Sequence, residues 1–240
     1  MRISAKGMYY RQLNAAVAAS EDKEIIIDDC CGQRYIGDGL SGKTITINGV
    51  PGNALGAYMD DCCIIVNGNA QDATGDTMNS GRIFINGSSG DATGYAMRGG
   101  HIYVRGNVGY RAGIHMKEYQ HRRPVLIIGG SAGSFLGEYQ AGGIIIVLGT
   151  DKKNSCPVGP FCGTGMHGGV IYIRSAKAPV NVPEQISVTA ADKHDLSLIA
   201  SELKPFCEQF GMDEDEIMSD TFYALRPNTK NPYKRLYTHN

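Results

Sequence analysis

The chain has 240 residues, a formal net charge of −1 and 32 glycines. Its length is sufficient to bury a sizeable core, and the absence of a broad basic excess argues against nucleic acid or an anionic membrane as a partner. No apolar run approaches the roughly 18 residues of a membrane span, and Met1–Arg11 lacks the apolar centre of a signal peptide. We therefore expect a cytoplasmic protein without a membrane partner.

Residues 1–24 are predicted to form an N-terminal capping segment. Within it, residues 8–20 have the pattern of a short helix, with Leu13 and Val17 on its apolar side. A repeat array exposes unpaired strand edges at its ends, and we expect this helix to cover one of them.

Residues 25–175 contain a five-residue phrase that recurs at a nearly constant period. Its copies are Ile25–Asp29, Ile45–Gly49, Ile64–Gly68, Ile83–Gly87, Ile102–Gly106, Leu126–Gly130, Ile145–Gly149 and Ile171–Ser175. The first and third positions are aliphatic in every copy, which is the period-two pattern of a short strand with one buried face. Repeats of about 19 residues are too short for most helical repeats.

Glycines at fixed offsets after each phrase indicate bends, because glycine adopts positive φ at little cost. Three such bends per repeat predict an all-β solenoid, a parallel β-helix of about eight coils with short helical N- and C-terminal extensions. Equivalent side chains should then form ladders along the axis. The expected ladders are Met59, Met78, Met97 and Met116 in the core, and Asn48, Asn67 and Asn86 at a turn.

The middle position of the strand phrase should point outward, yet it is apolar in most copies. The residues are Ile65, Phe84, Tyr103, Ile127, Ile146 and Tyr172. Such an apolar stripe must be covered, either by the C-terminal part of the same chain or by another protein. The sequence leaves both possibilities open, and a second copy of the chain is one form of the latter.

Two repeats carry insertions, and insertions in repeat proteins often emerge on the binding face. Residues 115–123 hold the one local concentration of basic charge, whereas residues 150–163 contain Cys156 and Cys162. The candidate partner-interface residues are His115, Lys117, Tyr119, Arg122, Arg123, Phe84, Tyr103 and Tyr172. An alternative is a free-standing β-helix enzyme that uses His115 and His121 as acid–base groups.

The seven cysteines include the neighbouring pairs Cys30-Cys31 and Cys62-Cys63, in which one thiol should face the core and the other the surface. No spacing is typical of a zinc site or an iron–sulfur cluster. We predict no catalytic, cofactor-binding or metal-ligating residues, although a redox role for Cys156 and Cys162 stays open.

Residues 176–240 are predicted to form a C-terminal helix and an extended tail. Residues 178–183 resemble an extended linker, because their prolines oppose helix. Residues 192–210 have helical apolar spacing, with Pro205 making the second half uncertain, and residues 213–218 begin a short acidic helix. The aromatic and basic tail from Thr221 to Asn240 is typical of a strap on another surface.

Several segments resemble the GXGXG repeat domain of the glutamate synthase large subunit, in its stand-alone form. They are 6–10, 32–35, 68–72, 97–100, 113–119, 163–169 and 235–237, so the resemblance covers nearly the whole chain. One subunit of formylmethanofuran dehydrogenase has the same repeat and is a more distant resemblance.

The resemblance implies a right-handed β-helix and a non-catalytic structural or assembly subunit of a glutamate-synthase-like complex, in glutamate biosynthesis and nitrogen metabolism. Its implied partners are a subunit with FMN and an iron–sulfur cluster and a glutaminase subunit, and no cofactor is implied on this chain. A subunit of a formylmethanofuran-dehydrogenase-type complex is the alternative assembly.

Overall fold

A computed structural model describes residues 1–152 and 155–228. Within these ranges the chain forms eleven strands and three helices. They are β1 (Arg2–Ser4), α1 (Tyr10–Ala19), β2 (Glu24–Cys31), β3 (Thr44–Val50), β4 (Cys62–Asn67), β5 (Gly81–Ile85), β6 (His101–Val104), β7 (Val125–Ile128), β8 (Ala141–Val147), β9 (Gly168–Arg174), β10 (Ile186–Ala190), α2 (Lys193–Phe210), α3 (Glu214–Met218) and β11 (Phe222–Pro227).

All described strands belong to one sheet, in the order β1-β2-β3-β4-β5-β6-β7-β8-β9-β11-β10. The strands from β1 to β9 are parallel neighbours in chain order. At the far edge, β11 pairs antiparallel with both β9 and β10. The sheet is therefore open and mostly parallel, with an antiparallel pair along one side.

The register of the parallel strands follows the repeated phrase. Ile45 pairs with Ile64, Ile64 with Ile83, and Ile83 with Ile102, so each first-position side chain lies beside its equivalent. A slip of one residue would exchange the two faces and bring the bulky Phe84, Tyr103 and Tyr172 into a core that is aliphatic in every repeat, which opposes it. The strand positions and pairing order predicted from the phrase are confirmed.

The first face of the sheet packs against the segments that connect its strands. The first and third phrase positions are fully buried there, as is the predicted methionine ladder. Helix α1 contributes Leu13 and Val17 to this core. The Cys30-Cys31 pair behaves as predicted, because Cys30 is buried and Cys31 is exposed. In the second pair Cys62 is buried, but Cys63 is half-buried on the other face of the sheet.

The connecting segments have a left-handed backbone at alternate residues. In one connection Ala54, Gly56 and Tyr58 have φ values of 60°, 64° and 54°. The same alternation recurs around Gly37, Gly75, Gly94, Gly113, Gly137 and Gly163. Residues in this conformation cannot continue a strand, because strand backbone requires negative φ.

Hydrogen bonds join each connection to those before and after it. Ala73 donates its N–H to Asp91 O of the following connection at 2.8 Å, whereas Gly75 donates to Leu55 O of the preceding one at 2.8 Å. In the connections that lie between two others, the two outer left-handed residues donate to the following connection, and the central glycine donates to the preceding one. Backbone groups that would otherwise be buried without partners are thus satisfied.

The predicted fold class, an all-β, right-handed β-helix of about eight coils, is wrong. The strands form a single open sheet with an antiparallel edge, and in the described residues the connections add isolated bridges rather than a second or third sheet. The glycine spacing predicts bends between the strands of a coil, but these glycines belong to turns with alternating left-handed residues. With helices packed on its second face, the fold is of the α/β type.

The second face of the sheet is covered by the chain itself. Phe84, Tyr103, Ile127, Ile146 and Tyr172 of the predicted apolar stripe are buried in a second core. Helix α2 covers them with a row of apolar side chains, namely Ile199, Leu203, Phe206 and Phe210. Ile65 is half-buried at the margin of this core.

The two C-terminal helices occur close to where the sequence predicts them. Asp192 caps the start of α2 by accepting from the backbone N–H groups of His194 and Asp195, and Gly211 ends it with a φ of 64°. The helix continues through Pro205 because Phe206 and Phe210 beyond it are held in the second core. The predicted tail begins with β11, and its part from residue 229 onward lies outside the described residues.

Alanine substitutions at two central glycines should separate backbone strain from crowding. At Gly94 (φ +74°) an added Cβ meets nothing closer than 3.8 Å, whereas at Gly75 (φ +71°) it lies 2.3 Å from Ile102 Cδ1. Gly94→Ala should cost about 1–2 kcal/mol of unfolding free energy through the left-handed conformation. Gly75→Ala should cost about 1–3 kcal/mol more through overpacking.

Chemical denaturation followed by circular dichroism measures both differences. Ala92→Gly, at a φ of 54°, is the matched control and should leave stability unchanged or raised. A Gly94→Ala variant as stable as the wild type contradicts the left-handed requirement.

Candidate interaction surfaces

A buried carboxylate fixes the start of α2 to the sheet. Asp195 accepts a hydrogen bond from the Tyr172 hydroxyl of β9 at 2.7 Å and another from the Arg226 guanidinium of β11. Its second oxygen accepts from the Asp192 backbone N–H at 3.2 Å. Burial by itself raises the pKa of Asp195, but these hydrogen bonds to the charged form outweigh it and hold the pKa below its usual range.

A second carboxylate joins the middle of α2 to the inserted loop. Glu202 Oε2 lies 3.2 Å from His101 Nε2 of β6, and Glu202 Oε1 accepts from Arg123 at 3.2 Å. The hydrogen bond with His101 is the main reason that the pKa of Glu202 is lowered. Arg123 therefore serves a contact within the chain.

The inserted loop folds back as a small hairpin. Tyr119 and Arg122 exchange backbone hydrogen bonds, and the Arg122 side chain reaches Asp60 at 3.2 Å. Lys117 and Tyr119 are exposed. The predicted interface residues of this loop thus divide into two kinds, with Arg122 and Arg123 engaged internally and Lys117 and Tyr119 facing outward.

The three aromatic interface candidates on the sheet lie elsewhere. Phe84 and Tyr103 stack with ring centroids 4.7 Å apart beneath α2, and Tyr172 is 1% exposed. Because α2 covers these side chains, they do not face a partner in this structure.

The two loop histidines occupy different environments. The His115 ring stacks on Tyr139 at 5.1 Å and meets Tyr95 edge-on at 6.0 Å, whereas His121 is exposed at the hairpin. The structure shows no hydrogen bond or ring contact between the two histidines within the described chain.

Another group of aromatic side chains lies on the connections nearer the C-terminal end of the sheet. Phe135 and Phe161 stack at 4.8 Å, and the Arg111 guanidinium lies 4.9 Å from the Phe135 ring centroid. Arg111 also forms an ion pair of 3.0 Å with Glu138. This surface is aromatic and its charge is balanced.

An exposed cluster lies at the N-terminal side, and we call it the N-terminal aromatic–arginine cluster. It consists of Tyr9, Tyr10, Arg11, Arg34 and Tyr35. The Tyr10 ring lies 4.6 Å from Tyr9 and 5.8 Å from Tyr35, and the Arg11 and Arg34 guanidinium groups lie 5.8 and 5.9 Å from its centroid. These distances are typical of cation–π contacts.

The aromatic side chains of the connections were not predicted from the sequence as possible surfaces. Tyr58, Tyr95, Tyr110, Phe135 and Phe161 flank the central glycines of the connections. The recurrence of aromatic residues close to these glycines is visible in the sequence and could have indicated an exposed aromatic surface. The strand phrase is the stronger pattern, however, and it points to the sheet face that α2 covers.

The cysteines and the acidic groups offer little chemistry in the described part. Burial raises the pKa of the Cys162 thiol to about 12, which opposes the thiolate that a redox role needs. Residues 1–152 and 155–228 contain no group of three His, Cys, Asp or Glu side chains placed to hold a metal ion. Nor do they include a helix long and apolar enough to cross a membrane.

A shallow groove of about 620 Å³ follows the starts of β2 to β6. It is lined by basic residues, among them Lys23, Lys43 and Arg82, and by Glu24 and Asp61. Lys43 is bound to the backbone carbonyls of Ser20 and Asp22. The groove therefore contains carboxylates as well as basic side chains, and the donors of Lys43 are engaged within the chain.

Together these features define a repeat-built sheet protein with exposed contacts between aromatic and arginine side chains. A family model described as the GXGXG motif matches residues 19–230, and the chain belongs to that family. The resemblance drawn from the sequence is thereby confirmed.

The chain is 44% identical over 249 residues to an uncharacterized protein of Methanocaldococcus jannaschii, in a match that covers 98% of this chain and 95% of that protein. Among solved structures it is similar to a chain of the formyltransferase/hydrolase complex (FhcABCD) from Methylorubrum extorquens, in complex with methylofuran. The TM-score is 0.67 at 23% identity, covering 85% of this chain and 73% of that chain. This likeness shows a shared fold.

Replacing the buried carboxylate should loosen α2. Asp195→Asn removes charged hydrogen bonds with Tyr172 and Arg226, and we expect a loss of about 1–3 kcal/mol in unfolding free energy. Labelling of the buried Cys207 thiol, read by peptide mass spectrometry, should accelerate as α2 leaves the sheet. Glu208→Gln, on the exposed side of α2, is the control.

The difference in unfolding free energy between the wild type and Asp195→Asn should shrink as the pH is lowered. Because the folded-state pKa of Asp195 is depressed, the stability that its carboxylate contributes is fully present at pH values above the pKa of the unfolded chain, about 4. It is lost as pH falls through the folded pKa. A difference that grows below pH 4 would contradict this assignment.

Proposed function

We propose that this chain is a non-catalytic subunit that positions the catalytic chains of a multi-chain enzyme complex. The observation that carries the proposal is the set of exposed aromatic and arginine side chains along the connections. Among the described residues, six of the exposed large apolar side chains are tyrosines, including Tyr9, Tyr35, Tyr58 and Tyr110. Tyrosine and arginine are enriched where protein surfaces bind each other.

The backbone beneath these side chains makes them suitable for positioning. Each connection is hydrogen-bonded to both neighbours, as with Gly94 to Thr74 O at 2.7 Å and Ala92 to Tyr110 O at 2.8 Å. Side chains presented on such a fixed backbone lose little freedom on binding. A rigid subunit of this kind aids catalysis because a displacement of about 1 Å between reacting groups lowers rates strongly.

The first complex to consider is of the formylmethanofuran-dehydrogenase type. The solved structure with the same fold is described as part of a formyltransferase/hydrolase complex. Under this proposal the catalytic residues and cofactors lie on partner chains, and this chain contributes docking surfaces.

A glutamate-synthase-like complex is the second candidate, favoured by the motif segments shared with the stand-alone GXGXG domain. Its partners would be a subunit carrying FMN and an iron–sulfur cluster and a glutaminase subunit, for amidotransfer to 2-oxoglutarate. All seven cysteines are free, which suits the reducing cytoplasm in which either complex would assemble.

Affinity purification from the native cell tests the proposal. A chain with a C-terminal tag should recover other polypeptides in fixed stoichiometry, identified by mass spectrometry. Formyltransferase or hydrolase chains favour the first complex, and flavin and glutaminase chains favour the second. A wild-type protein recovered alone, or only with its own copies, refutes the proposal and directs attention to an enzyme activity of the His115 and His121 loop.

The inserted loop provides a separate test of its predicted interface role. Lys117 is exposed and has no ion pair among the described residues, so Lys117→Glu alters surface charge without breaking an internal contact. If the loop touches a partner, affinity should fall about three- to tenfold, mostly through slower association. Lys204→Glu on α2 is the control, and equal affinities for both variants exclude the loop as a contact.

A further inference from the structure

The N-terminal aromatic–arginine cluster is assembled by a buried glutamine. Gln33 is 8% exposed, and its amide donates to Ala5 O at 2.9 Å and to Met8 O at 3.2 Å. Asn14 of α1 donates to Arg34 O at 2.9 Å. These bonds hold the segment before α1 against the first connection, so the cluster has a fixed shape before any partner binds.

The arginines of the cluster carry charge that no carboxylate of residues 1–152 and 155–228 neutralises. Arg11 donates to the Tyr10 hydroxyl at 3.3 Å, and Arg34 lies over the same ring. Neither forms an ion pair with a carboxylate in the described residues, although both are exposed. Their guanidinium groups thus keep free donors beside three aromatic rings.

The balanced surface at Arg111 provides a contrast within the same molecule. There the guanidinium also lies over an aromatic ring, but its Nε donates to Glu138 of the same chain at 3.0 Å. That pair shows the arrangement that a carboxylate adopts on an arginine–aromatic surface of this fold. At the N-terminal cluster the corresponding acid is missing from the described chain.

We infer that the N-terminal aromatic–arginine cluster docks a carboxylate-bearing segment of a partner protein in the complex. The inference rests on the proposed subunit role. Arginine presents a planar fork that binds a carboxylate through two parallel hydrogen bonds, and the tyrosine rings exclude water from that contact. A nucleic acid is a poorer fit, because its binding depends on an extended basic surface and the chain has a net charge of −1.

Neutralising the two arginines tests the inference in the native complex. Arg11→Gln combined with Arg34→Gln removes both charges and leaves Gln33 and its bonds intact. The matched control is Arg98→Gln combined with Arg105→Gln, which changes charge equally at exposed arginines that form no ion pair within the described residues. Each tagged protein is purified from its native cell, and the recovered chains are quantified by mass spectrometry.

The cluster variant should recover at least about tenfold less of one partner chain than the wild type. Recovery by the wild type should also fall with rising salt, because the contact is electrostatic. The control variant should match the wild type throughout, and circular dichroism should show all three proteins folded alike.

A chemical cross-link identifies the class of group that binds. Arg11→Lys and Arg34→Lys keep the charge and supply an amine, which a carbodiimide joins to a neighbouring carboxylate as an amide. Mass spectrometry should find the new lysine linked to an aspartate or glutamate of the partner. Lysine placed at residue 98 should give no such link.

The outcomes separate this inference from the proposed function. A wild type that recovers no partner refutes both. A cluster variant that recovers partners as well as the wild type does refutes the cluster as the docking site and leaves the subunit role standing. Loss of recovery without a carboxylate cross-link at either lysine overturns the assignment of the binding group.

Discussion

The structure depends on hydrogen bonds between successive connections, which alternate in direction along each turn. The outer left-handed residues donate forward and the central glycine donates backward, as Ala73 and Gly75 do. This alternation needs positive φ at every second residue, which L-amino acids adopt at a cost of roughly 1–2 kcal/mol each. Cooperative pairing with both neighbours offsets that cost, so the connections can be rigid although they contain neither helix nor strand.

Rigid connections allow the sheet to be buried on both faces. The connections cover the first face, and α2 covers the second through Phe206 and its neighbours. Asp195 couples α2 to β9 and β11 at once, because its hydrogen bonds reach Tyr172 and Arg226. The chain therefore satisfies its own largest apolar stripe, and surfaces for other proteins must be sought along the connections and the inserted loop.

The exposed aromatic side chains of the connections share one structural origin. They lie close to the central glycines, and Phe135 and Phe161 have left-handed backbone themselves. The bonds between repeats fix their spacing, and the stacking of these two rings follows from it. The aromatic surfaces differ in charge, since Arg111 is paired with Glu138 whereas Arg11 and Arg34 have no such carboxylate in the described chain. This difference distinguishes a balanced surface from one that can recognise an acidic segment.

The sequence by itself determined the positions, order and register of β2 to β9, because the near-constant spacing admits one pairing that keeps the aliphatic first and third positions of every phrase in the first core. It also located α2 and the asparagine ladder, in which Asn67 donates to Asn48 at 2.8 Å and Asn86 to Asn67 at 3.0 Å. Only the tertiary structure decided the fold class, since glycine spacing marks bends without revealing whether strands or left-handed turns lie between them. It likewise decided that α2 covers Tyr103 and Tyr172, and that residues 5–11 meet Arg34 and Tyr35. Such contacts join segments distant in the chain, and local pattern carries no information about them.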